Sequence, residues 1–382
     1  MEFAWTDDAL AFRAELCAFL DATLPADWDE IAKGGPGSDA QVAFSKRFCP
    51  ALAARGWLVQ HWPAAHGGRD APPWRHAILG EELWARGEPR GPQYMNVNWI
   101  GPAIMQFGTP EQQARHLPPI ARGEAFWCQG FSEPEAGSDL VALRTLAIRD
   151  GDAYVVNGSK IWTSYANHAQ HCFLLARSDP DSKRHHGITV LLMPMDLPGV
   201  VVREIPSVVG ERYFHEVFLS DVRVPASCRL GPEGGGWEVV THALQYERVG
   251  AARYARAART LDALAERARA QGLLGDATVR EKLGAARGAC EAARLLTYKV
   301  IDQRAHGLPP SADTNVARVA GTLAERAVAD LALELFGSEA AAYGSFADAH
   351  FRMAMTAGVA VGTTEVNLNL VASRVLGLPR ES

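Results

Sequence analysis

The sequence has few cysteines, and none is arranged to do chemistry. Six occur in 382 residues: Cys17, Cys49, Cys128, Cys172, Cys228 and Cys290. No two form a Cys-x-x-Cys pair and no histidine stands at metal-ligand spacing from them, so neither a zinc site nor a redox motif is expected. Scattered thiols of this kind belong to buried, reduced side chains and point to a reducing compartment, the cytoplasm. No uninterrupted apolar stretch approaches the ~20 residues of a membrane helix. The start, Met1-Glu2-Phe3-Ala4-Trp5-Thr6-Asp7-Asp8, lacks the basic region and apolar run of a secretory signal. There is no basic block either. The net charge is -6 with both signs mixed along the chain, which argues against a nucleic-acid partner. His66 and the pair His185-His186 lie in loop-like segments without matched ligands and read as exposed histidines, so no metal is expected.

What is present is the making of a globular, multidomain chain. Hydrophobic residues make up 48% and charged residues 21%, enough for one large core or two to three smaller ones. Residues 1–124 read as helices joined by Pro/Gly-rich loops. Thr6 precedes an amphipathic run to Leu20, with Asp7 and Asp8 suited to a helix N-terminus. Lys33-Gly34-Gly35-Pro36-Gly37-Ser38 reads as a loop or mobile insert. Thr109-Pro110-Glu111-Gln112 carries the signature of a capping box with proline at the first helical position. Residues 125–232 change character. Short β-rich runs appear at Ala153–Val156, His171–Ala176, Ile188–Met193 and Glu216–Leu219, and Asn157-Gly158 predicts a tight hairpin leading to Ser159–Ser164. Such strands suggest a small barrel or sandwich. Residues 233–382 are helical again. Leu283, Ala286, Cys290, Ala293, Leu296 and Val300 form one apolar stripe, and Val316, Val319, Leu323, Ala327, Leu331 and Leu335 another.

Three segments at the helix-to-β boundary carry a family pattern. They are Gly108-Thr109-Pro110-Glu111-Gln112 with Leu117 to Glu124; Gln129-Gly130-Phe131-Ser132-Glu133-Pro134-Glu135-Ala136-Gly137-Ser138-Asp139-Leu140; and Asn157-Gly158-Ser159-Lys160-Ile161-Trp162-Thr163-Ser164. With the ending Gly362-Thr363-Thr364-Glu365 through Arg380, the chain resembles acyl-CoA dehydrogenases over nearly its whole length. The resemblance implies an α+β multidomain fold: an N-terminal helical domain, a middle β-barrel and a C-terminal four-helix bundle. It also implies FAD between barrel and bundle, an acyl-CoA substrate, an electron-transfer flavoprotein as electron acceptor, and a homo- or heteromeric dimer or tetramer.

The resemblance assigns roles residue by residue. Gln129, Phe131 and Ser132 would serve the flavin through backbone and hydroxyl, Trp162 would lie against the ring, and Ser164 would reach its N5 side. Taken alone, Trp162 could equally be a core aromatic and the serines turn residues. Ser138 matches a position that holds the CoA moiety. Thr363 matches a cofactor-contacting threonine, and Glu365 stands where glutamine is frequent. At the adenine end of FAD the nearest equivalents of the family motifs, Arg269-Ala270-Gln271-Gly272 and Glu334-Leu335-Phe336-Gly337-Ser338, are degenerate.

The reaction needs a carboxylate to take the proton next to the thioester carbonyl. Where many members have that glutamate, this chain has Val361. The amide of Val361 would still polarise the carbonyl. In some relatives the base lies on a bundle helix, and the matching segment is Gln245-Tyr246-Glu247-Arg248-Val249. Glu247 is therefore the expected base, with Arg248 fixing its geometry; a structural Glu247–Arg248 ion pair is the plainer alternative. The small residues Ala357-Gly358-Val359-Ala360-Val361 leave room for a bulky or branched acyl group, or simply permit close helix packing; because relatives lacking the usual base include heteromeric dehydrogenases of steroid-side-chain thioesters, the resemblance implies that acyl class. The competing functional readings are a catalytically silent subunit of a heteromeric enzyme and an acyl-CoA oxidase.

Overall fold

The computed structural model describes residues 5–209, 213–250, 252–309, 311–360 and 362–379, with the side chains of 245–250 left out. In chain order the longer helices are α1 (Asp7–Thr23), α2 (Asp39–Ala54), α3 (Pro73–Ala85), α4 (Gly101–Phe107), α5 (Pro110–Ala121), α6 (Gly236–Gly250), α7 (Arg253–Ala270), α8 (Ala277–Ala305), α9 (Asp313–Phe336), α10 (Asp348–Ala357) and α11 (Thr364–Arg374). The strands are β1 (Trp127–Gly130), β2 (Leu146–Asp150), β3 (Ala153–Ser164), β4 (His171–Arg177), β5 (Ile188–Pro194), β6 (Val200–Ile205), β7 (Phe214–Pro225) and β8 (Arg229–Leu230). The mixed order of helices, sheet and helices is the one the sequence predicts.

The chain forms two compact units. One gathers 34–70 and 90–247 around the sheet; the other gathers 1–33, 71–89 and 248–382 and is helical. In the β unit a single eight-stranded sheet runs β6-β7-β3-β2-β4-β5-β8, with β1 parallel to β4 off that path. Although β7 and β5 stand three strands apart in that order, Val217, Val222 and Val224 share one apolar cluster with Leu191, Met193, Tyr154, Val156 and Leu174. A sheet whose distant strands share one core is curled like a barrel. In the helical unit, the Glu81 carboxylate is buried and accepts from Tyr254 (2.9 Å), Tyr298 (2.7 Å) and Arg13 (2.6 Å). A buried charge stays in place only when its acceptor sites are filled this way. Among the described residues, no helix is long and apolar enough to cross a membrane.

Local signals behave as their chemistry dictates. Thr6 caps α1 by accepting from Ala9 N at 3.3 Å. Thr109 and Gln112 form the reciprocal capping box at α5, and Gln112 Nε2 also donates to Ser227 and Arg229 carbonyls.

Three expectations change. Asn157-Gly158 is no hairpin: β3 continues through it, paired along its length with β7. The pair sits at a register shift after Val156, a β-bulge. Asn157 spends its amide on Asp221, donating to Oδ1 and accepting from the backbone N, both at 2.9 Å. At Gly158, φ is 150° and a Cβ would stand 2.5 Å from Thr145 Oγ1, so only glycine fits. The loop at Gly35-Pro36-Gly37 is buried rather than a mobile insert. A Cβ on Gly37 would stand 2.9 Å from the Tyr165 ring. The stripe along α9 is rotated. Leu323 is 54% exposed, whereas Arg318, Thr322 and Glu325 are buried. Polar residues turn inward there because each finds a partner: Glu325 pairs with Arg256, and Arg318 and Thr322 both donate to the Ala357 carbonyl at the end of α10.

Candidate active site

The Ser-Glu-Pro segment is held by one buried ion pair. Lys160, on β3, is fully buried; its Nζ donates to Glu133 Oε1 at 2.7 Å and to the Phe131 carbonyl at 3.1 Å. Glu133 also accepts from the backbone amides of Arg144 (2.6 Å) and Thr145 (2.9 Å). Burial works against both charges. For Glu133, burial raises the carboxyl, but Lys160 and the hydrogen bonds from Lys160, Thr145 and Arg144 outweigh it and hold it below its ordinary value. For Lys160, burial prevails over Glu133 and lowers the ammonium. The Ser132 carbonyl accepts from Ile161 N at 2.9 Å, and Glu133 and Ala136 exchange two backbone hydrogen bonds of 3.0 Å around Pro134. Gly137 and Ser138, which follow that tight turn, are exposed.

The same stretch of β3 is irregular where the motif places Trp162. The register with β7 slips between Lys160 and Thr163, and Trp162 has φ of 58°. A bulky residue in the left-handed region is strained and needs surroundings that over-determine it; here the ladder on both sides and the Lys160 anchor supply them. Trp162 is 54% exposed and meets Phe214 edge-on at 5.8 Å. It is therefore not a core aromatic. Phe131, Ser132 and Ser164 are half-buried, and Phe131 lies 5.9 Å from Phe173. Two polar atoms in this region are buried and lack a hydrogen-bond partner among the described residues: Gln129 Nε2 and Thr163 Oγ1. Unsatisfied buried polar atoms are uncommon and call for a reason. An exposed indole face, with unused polar atoms on the same motifs, fits a flat, hydrogen-bonding ring system such as a flavin. Thr163 and the Lys160–Glu133 pair were missed by sequence reasoning. Their signal was present, since a lysine and a glutamate both lie inside the two motifs.

The other expected residues lie in the helical unit or outside the described atoms. Thr363 caps α11, accepting from Val366 N at 3.2 Å. The Glu365 carboxyl is held below its ordinary value by its own backbone amide, then by the Thr363 hydroxyl, with Arg326 adding charge. Both residues thus tie off a helix start. The loop before them is clamped: Arg318 Nη2 donates to Ala357 O (2.6 Å) and Ala360 O (2.8 Å), and Asn367 Nδ2 donates to Gly362 O and Thr363 O, both at 2.9 Å. A Cβ on Gly358 would stand 2.2 Å from Arg326 Nη2, so its smallness serves packing, whereas Val359 and Ala360 are exposed. Glu247 and Arg248 fall in the last turn of α6 with side chains outside the described residues, and Val361 also lies outside them. Among the described residues no group of His, Cys, Asp and Glu is placed to hold a metal.

This fold and this frame match the acyl-CoA dehydrogenase models in order: the N-terminal domain over 6–124, the middle domain over 128–222 and the C-terminal domain over 234–376. The chain belongs to the acyl-CoA dehydrogenase family and is an oxidoreductase of that class. It is similar to acyl-CoA dehydrogenase IpdE1 of Mycobacterium tuberculosis, 35% identical over 98% of this chain and 99% of that one. Among solved structures it resembles the Tcur3481-Tcur3483 steroid ACAD, with TM-score 0.91 and 31% identity over the whole of both chains. It also resembles the ChsE4-ChsE5 complex from Mycobacterium tuberculosis, with TM-score 0.89 and 30% identity over the whole of both chains.

Proposed function

We propose that the chain is an FAD-dependent acyl-CoA dehydrogenase that oxidises the Cα–Cβ bond of a bulky, branched or steroid-side-chain acyl-CoA. The observation that carries this reading is the strained, exposed Trp162, together with two buried polar atoms that lack a hydrogen-bond partner among the described residues, Thr163 Oγ1 on the next residue and Gln129 Nε2 on β1. Gln129, Phe131, Ser132, Trp162, Ser164, Thr363 and Glu365 would hold the flavin. The chemistry FAD supplies when bound is acceptance of a hydride. Ser138 binds the CoA moiety and the Val361 amide polarises the thioester carbonyl. Glu247 takes the proton from Cα, and Arg248 fixes its position. The steroid acyl class is supported by the similarity to a steroid ACAD. Relatives solved under paired names favour a heteromeric assembly. Electrons pass to an electron-transfer flavoprotein, and the protein works in the cytoplasm. The functional division into domains at 1–124, 125–232 and 233–382 goes with this reading.

The test is anaerobic single-turnover flavin reduction by a steroid-side-chain acyl-CoA in Glu247→Gln. The reading expects unchanged flavin content and a rate lower by about 10²–10⁴-fold. Reduction at the wild-type rate would remove Glu247 as base. A second reading, a silent subunit, is favoured by Val361 at the usual base position; it predicts no reduction in the wild type either.

A further inference from the structure

Trp162 shares its strain with a second residue. Tyr165, one position past the end of β3, has φ of 65°. A bulky side chain in the left-handed region needs surroundings that hold it there. For Tyr165 those surroundings are aromatic and buried. Its ring is 0% exposed and meets the Tyr213 ring at 5.4 Å and 62°. Its hydroxyl donates to the Tyr213 hydroxyl at 3.2 Å and is also hydrogen-bonded to Tyr94, on the short helix Gln93–Met95. Its backbone N donates to Tyr213 O at 3.3 Å, and its carbonyl accepts from His168 N at 3.0 Å. Burial, then Tyr213 and Tyr94, push the phenol well above its ordinary value, so it stays a protonated donor.

Contacts on both sides tie this residue to its neighbours in the β unit. The buried loop at Gly37 is shaped to the two rings: a Cβ there would stand 2.9 Å from Tyr165 Cε1 and 3.2 Å from Tyr213 Cδ2. Away from that loop, Tyr213 meets Phe214 edge-on at 4.6 Å, and Phe214 meets Trp162 edge-on at 5.8 Å. Phe214 is also the ladder partner of Ser164. Tyr165, Tyr213, Phe214 and Trp162 therefore form one unbroken row of rings. It begins at a fully buried phenol and ends at a half-exposed indole. Edge-to-face rings at these separations attract, and close-packed interiors pass a displacement on to their neighbours.

We propose that Tyr165 is a positioning residue, which acts through Tyr213 and Phe214 to hold the Trp162 indole in the orientation in which a flavin ring meets it. This rests on the flavin reading of Trp162 above. The ladder fixes the backbone of the motif; the row of rings gives the indole itself a backstop. Without the Tyr165 hydroxyl, the buried Tyr213 hydroxyl loses its donor. The left-handed conformation at 165 then loses what offsets its strain. The strand end relaxes, and Phe214 and the indole move with it. Glycine or asparagine at 165 would suit the backbone better but would leave the row without its buried end.

The experiment is fluorine NMR of the full chain carrying fluorinated tryptophan, before and after addition of FAD, in the wild type, Tyr165→Phe, Gly37→Ala and Trp162→Phe. The chain has ten tryptophans, and the line missing from Trp162→Phe is that of Trp162. The expected result is that this line shifts or broadens in Tyr165→Phe and in Gly37→Ala while the remaining lines hold. FAD affinity, titrated on the same samples, falls about tenfold in Tyr165→Phe. Made in the Trp162→Phe background, the same change costs less than about twofold, because its effect runs through the indole. A Trp162 line that stays in place in both variants overturns the proposal. An affinity loss of equal size with and without Trp162 overturns it too, and marks Tyr165 as a packing residue. A Trp162 line that moves in the variants but never responds to FAD upholds the grip of Tyr165 on the indole and overturns the flavin reading instead.

Discussion

Two loops carry the family's motifs, and they are built in different ways. The Ser-Glu-Pro loop of the β unit is held from beneath by a buried charge: Lys160 reaches Glu133 and the Phe131 carbonyl at once. The loop between α10 and α11 in the helical unit is held from its flanks, by Arg318 and Asn367 gripping backbone carbonyls. The first arrangement fixes both motif side chains and backbone, because its anchors belong to the motifs. The second grips backbone carbonyls alone, those of Ala357, Ala360, Gly362 and Thr363. That contrast goes with a chain that keeps the Ser-Glu-Pro and Ile-Trp-Thr-Ser motifs intact yet carries valine at 361, where the resemblance leads one to expect the base.

The largest effect is expected from breaking the first anchor. Lys160→Met leaves the Glu133 carboxylate buried without its cation and should cost about 3–5 kcal/mol, with loss of bound flavin; chemical denaturation and flavin absorbance measure both. Breaking the second anchor should cost less. Arg318→Ala removes a charge-assisted pair of bonds to Ala357 and Ala360 and should lower stability by about 3 kcal/mol while flavin content holds. Equal flavin loss in the two variants would erase the distinction between the loops.

A third prediction concerns acid. His116 packs edge-on to Trp127 and His171 at 5.2 Å and 5.1 Å, and burial, followed by the charges of His171 and Arg115, pushes its imidazole down to about 4. A group whose folded value is depressed stabilises the fold above its unfolded value, and that stability is lost as pH falls. The window runs from about 6.5, the unfolded value, down to about 4. His116→Gln should flatten stability across that window by on the order of 2–3 kcal/mol, read from denaturation midpoints at stepped pH. An unchanged slope would remove His116 as the cause. The smallest effect on stability is expected at Trp162. Trp162→Gly relieves the left-handed strain while losing the edge contact with Phe214, so the net change should stay within about 1 kcal/mol. Flavin reduction by substrate should nevertheless fall sharply. Stability lost in step with activity would mark Trp162 as a packing residue.

Much of this was legible in the sequence where chemistry is local. Thr6 and Thr109 cap the helices their spacing announces, and β4 and β5 lie where the apolar runs put them. The failures were tertiary. Asn157-Gly158 carries the residues of a hairpin turn, but pairing with β7 on both sides carries β3 through it as a bulge. The stripe on α9 was misread because buried Arg318 and Glu325 are polar residues with distant partners, which periodicity cannot see. Strands β1 and β8 are only four and two residues long, and β2 and β6 were passed over although Gly151-Asp152 and Pro198-Gly199 punctuate them. The motifs named Phe131, Ser132, Trp162 and Ser164 as candidates; the structure leaves Trp162 exposed and the other three half-buried. The Lys160–Glu133 bond joins two motifs 27 positions apart, a link that only the fold reveals.

The most direct test of the central claim is the visible spectrum of the purified protein during anaerobic titration with a steroid-side-chain acyl-CoA. The account predicts a flavin absorbance that bleaches in proportion to the thioester added. A colourless protein, or a yellow one that this thioester leaves unbleached, would contradict it.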